Sequence, residues 1–212
     1  MDGQTERRIK DFLEKIPSGV KVVAATKCRS IELVSECPAH GIFAAGENRV
    51  QELLSKYQPV EGLEWHFIGQ LQTNKVKYIL DKVSLIQSLD RVSLADKLEE
   101  ECAKRGLTMP VLVEVKHGEE LTRDGVSPDG LMAFAEYVRG KKHLTLNGLM
   151  TVMPLGSEKS AFLYKKTYKL FEKLRENFGS DIKWLSMGMS VDYLTAIENG
   201  SNTVSYTHLT LR

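Results

Sequence analysis

Lys27 is the residue of this chain best placed to do chemistry. It closes the run Val20-Lys21-Val22-Val23-Ala24-Ala25-Thr26-Lys27, whose valines and alanines predict a buried strand. An ammonium beside that much apolar surface is costly to desolvate, so burial is expected to lower its pKa and free the amine as a nucleophile. A neutral amine at a strand end suits condensation with an aldehyde to a Schiff base. The plainer alternative is a lysine that marks where the strand meets solvent, because lysine is almost never buried without a partner.

A second candidate is Ser186-Met187-Gly188-Met189-Ser190, directly ahead of a helical pattern. Free N–H groups at a helix start, two hydroxyls and a glycine permitting close approach suit an anion such as phosphate. Capping by Ser190, with the methionines filling core, accounts equally well for the same residues. Asn48 and Asn74 have the chemistry to hydrogen-bond a ligand or merely to end turns. His66, between Trp65 and Phe67, reads as a packed, hydrogen-bonded residue.

The elements that must carry these residues alternate. An amphipathic helix over 3–15 is followed by strands at 20–27, 42–45, 65–68, 83–87, 111–115, 144–149 and 183–185. Helical patterns separate them, and Ser30 and Ser127-Pro128 offer helix starts. With no linker or low-complexity segment, seven βα units predict one TIM-like barrel, in which chemistry sits on the loops after the strands. Lys27, Asn48, Met150 and the 186–190 stretch all fall there. An open doubly wound sheet fits less well, since no GxGxxG follows the first strand.

The bulk numbers narrow the class. The 212 residues suffice for a substantial core, and 42% hydrophobic with 27% charged residues is ordinary for a globular protein. A net charge of +1 gives no electrostatic reason to expect nucleic acid or a membrane surface as partner. Neither a secretory leader nor a bilayer-spanning run is visible. Cys28, Cys37 and Cys102 lack metal-like spacing, so reduced thiols, no metal and a cytoplasmic location are expected.

Six segments then carry a resemblance. VVAATK, GENRVQEL, WHFIGQLQTNK, IQSLDR, GLMTV and LSMGMSVDY fall in order from residue 20 to about residue 204. They resemble the pyridoxal phosphate homeostasis proteins, a family with an alanine-racemase-N-terminal-like domain. The resemblance implies a single (β/α)8 barrel over 1–204 with pyridoxal 5'-phosphate as cofactor, held as a Schiff base on Lys27. It further implies Asn48 near the cofactor ring, Met150 as a contact, and Ser186, Met187, Gly188 and Met189 near its phosphate.

Two stretches depart from the family pattern. Residues 119–125 keep a charge at Arg123 where the family has a serine- and lysine-containing stretch. After Thr203-Val204 the family continues with an arginine, an Ile-Gly-Thr-like segment and a last helix, whereas this chain reads Ser205-Tyr206-Thr207-His208-Leu209-Thr210-Leu211-Arg212. Residues 205–212 therefore read as a non-native tail, with the last strand and helix replaced or missing. Loss of that strand would expose sheet edges and lower stability. The tail's alternation also permits a substitute eighth strand that closes the barrel partly and holds phosphate less well.

Two functions compete. One is a non-catalytic, monomeric carrier that keeps pyridoxal phosphate in homeostasis and releases it to acceptors, among them apoenzymes met transiently. The other is an amino-acid racemase, which needs a second base on the face opposite the lysine. No such base is evident, so the carrier is favoured. A weaker third reading is a sugar-phosphate barrel enzyme with Lys27 as an aldolase-type amine.

Overall fold

The computed structural model describes residues 3–117, 125–153 and 160–207. Short runs of valine, alanine and leucine become strands because both of their faces find apolar cover, one inside the barrel and one beneath helices. The strands are β1 (Lys21–Ala25), β2 (Ala44–Glu47), β3 (Glu64–Phe67), β4 (Leu85–Leu89), β5 (Met109–Glu114), β6 (Leu144–Met150), β7 (Trp184–Ser186) and β8 (Thr203–Tyr206). All pair in parallel, each with its sequence neighbour, and β1 pairs with β8 to close the barrel. The helices are α1 (Gly3–Leu13), α2 (Ile31–Ser35), α3 (Val50–Lys56), α4 (Val92–Arg105), α5 (Leu131–Arg139), α6 (Ser160–Phe178) and α7 (Tyr193–Glu198). Thr73–Tyr78, expected as an ordinary helix, is a 3-10 helix.

Most apolar burial lies between the barrel and its outer helices, where Leu53, Leu94, Leu98, Val138 and Leu174 are completely covered. Each such side chain contributes about 1.5–3 kcal/mol. A second cluster joins Ile9 and Phe12 of α1 to Val22, Ala24 and Val204. Inside the barrel, Leu85, Leu112 and Met150 pack together with Trp184.

An eighth strand is present, in keeping with the substitute strand that the tail's alternation permits rather than with a missing one. Ser205 and Tyr206, set apart by the sequence pattern as tail, pair with Val23 and Ala24 of β1. Tyr206 stacks on Phe12 with ring centroids 3.8 Å apart and meets Tyr193 edge-on at 6.0 Å, which fastens β8 to α1 and α7. The barrel therefore has no open edge, and the expected exposure of neighbouring strands does not occur. Residues 208–212 and 119–124, including Arg123, lie outside the described residues.

Two strands sit two residues later than the sequence pattern predicts. β2 runs through Gly46 and Glu47 because Ala44 to Glu47 register against Glu64 to Phe67, while Ile42 packs beneath α1. β4 takes in Ser88 and Leu89. Ser30 holds the position before α2, but its hydroxyl makes no capping bond.

Candidate functional site

The C-terminal ends of the strands form one rim, and β1 delivers Lys27 to it. Thr26 still bonds β2, its N–H donating to the Gly46 carbonyl at 3.0 Å. The chain then turns at Lys27 and Cys28, and the Arg29 N–H closes the turn on the Thr26 carbonyl at 3.0 Å. Cys28 has φ 59°, a left-handed conformation uncommon for a residue with a side chain. Lys27 is exposed, which corrects the expectation that burial would desolvate its amine. The strand's apolar residues lie deeper, and the turn lifts the side chain clear of them.

The buried lysine of this region is Lys56, at the end of α3, which the sequence reading missed. Its side chain is 8% exposed, and its Nζ lies 2.8 Å from Glu47 Oε1 and 3.2 Å from Glu52 Oε1. It also donates to the Thr26 carbonyl at 2.7 Å. Glu47 is wholly buried and accepts the Thr26 hydroxyl as well. Glu52 accepts the Cys28 N–H. Burial raises the Glu52 carboxyl, but the Cys28 N–H, Lys56 and Arg49 together bring it below its ordinary value. The sequence pattern ends β2 at residue 45, which leaves Glu47 outside it. A glutamate ending a buried strand requires a partner, and only the register of β2 shows that Glu47 is one.

Asn48 follows Glu47 on the same rim and is exposed. A cleft of about 410 Å3 opens beside it, lined also by Arg49, Gln51, Gln70, Gln72 and Lys75. Gly69 is required there, because a Cβ would come within 2.2 Å of the Asn48 carbonyl oxygen. Asn74 is exposed on the 3-10 helix and does not line that cleft.

Across β8, the segment after β7 is a turn rather than an open helix start. Asp192 takes the Met189 N–H at 2.7 Å and is itself held by the Tyr164 hydroxyl at 2.7 Å. This corrects the expectation of a cup made by the first turn of a helix at Val191, for α7 begins only at Tyr193. Met187 is not on the rim either. Its side chain lies in the main core and its N–H donates to the Thr203 carbonyl at 3.0 Å. Gly188 has φ 96°, and a Cβ there would lie 2.6 Å from that of Ala196, so only glycine fits against α7. Met189 is half-buried. The N–H groups of Gly188 and Ser190 have no acceptor among the described residues. The Ser190 hydroxyl oxygen accepts the Thr207 N–H at 3.0 Å, which leaves its own proton free to donate.

Ser186 and Met150 lie below this rim, paired with one another on β7 and β6. Ser186 ends a polar chain through the barrel. Glu64 Oε2 lies 2.7 Å from Lys21 Nζ and 3.3 Å from His66 Nε2, His66 Nδ1 lies 3.0 Å from Gln87 Nε2, and the Ser186 hydroxyl lies 2.7 Å from Gln87 Oε1. The bond to His66, then that to Lys21, hold the Glu64 carboxyl down at about 2, so it is an acceptor only. Nε2 of His66 therefore carries the proton, Nδ1 accepts from Gln87, and the Ser186 proton is directed inward. Burial lowers the His66 pKa, partly countered by Glu64, so the ring is neutral. His66 is the packed, hydrogen-bonded residue its neighbours predict. Gln87 and Glu64 were not legible as its partners.

Among the described residues no group of His, Cys, Asp and Glu is arranged to hold a metal, and no helix is long and apolar enough to cross a membrane.

Comparison with known proteins places this arrangement. The model of the alanine racemase N-terminal domain family matches residues 3–206. The pyridoxal phosphate homeostasis protein of Aquifex aeolicus is 40% identical over 204 residues, covering 93% of this chain and 90% of the relative. That of Haemophilus influenzae is 34% identical over 194 residues, with 87% and 81% covered. Among solved structures, PipY of Synechococcus elongatus without PLP superposes with a TM-score of 0.89 at 26% identity, covering 97% of this chain and 99% of that one. The same protein with PLP bound gives 0.86. An alanine racemase of Clostridium difficile shares the fold at a TM-score of 0.80 and 16% identity, and this chain covers 56% of it. With these matches over nearly its whole length, the chain belongs to the pyridoxal phosphate homeostasis proteins, within the alanine racemase N-terminal domain family.

Proposed function

We propose that this protein binds pyridoxal 5'-phosphate at the C-terminal rim of its barrel and acts as a carrier in homeostasis of that cofactor, with Lys27 as a reversible tether. The observation that carries this reading is positional. The exposed amine of Lys27 and the free donors of Gly188 and Ser190 sit at the ends of β1 and β7, with only β8 between them. That pairing fits a phosphorylated aldehyde. When bound, the cofactor supplies an aldehyde that condenses with a primary amine and a phosphate that accepts several hydrogen bonds.

In this reading Lys27 offers the amine, and its exposure keeps the tether open to entry and release. The Gly188 and Ser190 N–H groups and the Ser190 hydroxyl donate to the phosphate. Asn48 serves the ring side, while Met150 and the inward-held Ser186 form the floor. Ser205 stands where relatives are expected to carry an arginine, and its N–H donates to the Gly188 carbonyl at 3.0 Å. A neutral hydroxyl there holds a phosphate less firmly than a guanidinium would.

The carrier is preferred over a racemase because of the protons available. The other side chains that this reading sets around the cofactor, Asn48, Met150, Ser186, Ser190 and Ser205, exchange no protons near neutrality. Both ring nitrogens of His66 are committed to Glu64 and Gln87. The names of the relatives from Aquifex aeolicus and Haemophilus influenzae support the same choice. A monomer in the cytoplasm that meets apoenzymes only transiently is the accompanying proposal, consistent with three free cysteines.

Titration with pyridoxal phosphate, followed by absorbance, tests the reading. A new band is expected in the wild type and none in Lys27→Ala, with both proteins melting alike. An equal band in the variant would overturn Lys27 as tether. Loaded protein incubated with L-alanine in deuterated water should show no Cα exchange above free cofactor, and exchange at enzymatic rates would overturn the carrier.

A further inference from the structure

We propose that Lys56 and Glu52 are positioning residues for Lys27, holding the backbone on both sides of the tether from beneath. This inference rests on the reading of Lys27 as the tether.

The two backbone groups that flank Lys27 both lead into one ion cluster. On the N-terminal side the Thr26 carbonyl accepts Lys56 Nζ at 2.7 Å. On the C-terminal side the Cys28 N–H donates to Glu52 Oε1, and the same oxygen lies 3.2 Å from Lys56 Nζ. A single ammonium thus fixes one flank directly and the other through one carboxylate. Glu47, wholly buried, is its second counter-ion and takes the Thr26 hydroxyl.

A plain structural role, fastening α3 to β2, accounts for the Lys56–Glu47 pair. It does not account for the Cys28 N–H turning inward from an exposed turn, or for Cys28 holding φ 59° to do so. A left-handed residue persists only where its surroundings over-determine it. The charge-assisted bond from the Cys28 N–H to Glu52, itself held by Lys56, supplies that constraint. The consequence is preorganisation. The Lys27 Cα is fixed, so reaching an incoming aldehyde orders only the side chain and leaves the turn as it stands.

Glu52→Ala is the informative variant, since it removes the Cys28 acceptor yet leaves Lys56 and Glu47 paired one to one. Glu52→Gln restores a neutral acceptor at the same place. In ligand-free protein the Cys28 amide is expected to exchange hydrogen slowly for an exposed turn. Exchange should be roughly ten- to a hundredfold faster in Glu52→Ala and close to wild type in Glu52→Gln. The dissociation constant for pyridoxal phosphate should rise about tenfold in Glu52→Ala, with the melting temperature of both variants near wild type. Unchanged Cys28 exchange in Glu52→Ala overturns the inference, as does faster exchange with unchanged affinity. Wild-type protein that fails to load on Lys27 refutes the functional reading instead, and leaves the ligand-free Cys28 result to stand alone.

Discussion

At the β1–β2 edge of the barrel mouth the chain buries charge. Lys56, Glu47 and Glu52 converge beneath the Lys27 turn, and two carboxylates face one ammonium. At the β7–β8 edge there is no such cluster among the described residues. Backbone and hydroxyl groups and a lone carboxylate do the work there: the Ser205 N–H on the Gly188 carbonyl, the Thr207 N–H on Ser190, and the Met189 N–H on Asp192. The strands differ in the same way, since β1 and β2 pair through three residue positions and β7 and β8 through one. Removing the ammonium from such a cluster leaves a buried carboxylate uncompensated, whereas losing Glu52 still leaves Lys56 and Glu47 paired. A rim held by single hydrogen bonds, with no cation among the described residues there, is adjustable. The amine half of the mouth is accordingly rigid, and the phosphate half is where affinity has room to vary.

Lys56→Met should break this contrast most severely. It leaves the wholly buried Glu47 without its cation, and a loss of about 3–5 kcal/mol in stability is expected from chemical denaturation. A loss below about 1 kcal/mol would mean that the β1–β2 edge is no more rigid than the other.

Ser205→Arg addresses the adjustable edge. A guanidinium able to bond phosphate bidentately should tighten pyridoxal phosphate about tenfold with little change in melting temperature. Unchanged or weaker binding would show that this edge is not limited by its lack of a cation.

The smallest effect belongs to the polar chain between the two edges. The unfolded chain protonates His66 near pH 6.5, whereas burial depresses the value in the folded state. The unfolded state therefore binds more protons in acid, and stability should decline as pH falls below about 6.5. Glu64 contributes little slope in that range, since its folded value of about 2 and its ordinary value of 4.5 both lie lower. Melting temperatures between pH 7.5 and 5.5 should fall less steeply in His66→Gln than in wild type. Parallel slopes would remove His66 from this account.

Much of the fold was legible because its rules are local. Short apolar runs alternating with amphipathic patterns predict a barrel, and Lys27, Asn48 and the stretch after β7 fall at strand ends by counting alone. What was not legible depends on distant pairing. Lys21 meets Glu64 across 43 positions and Gln87 meets Ser186 across 99, and no period or spacing announces either. Lys56 resembled any polar residue at the end of a helix, and Glu47 fell two residues beyond the expected strand at 42–45, so nothing yet called for a cation. Met187 was misplaced for a related reason. In a strand and its extension, alternate residues face opposite ways, so Ser186 points into the barrel while Met187 points into the outer core. Ser205 and Tyr206 looked foreign by family pattern, yet Tyr206 supplies the aromatic face that α1 and α7 require.

The most direct test is chemical. Protein incubated with pyridoxal phosphate is reduced with borohydride, digested, and mapped by mass spectrometry. A single modified site at Lys27, absent from Lys27→Ala, is the result expected here. Modification centred on Lys56 or spread over surface lysines, or reduced protein that carries no covalent cofactor, would contradict the account.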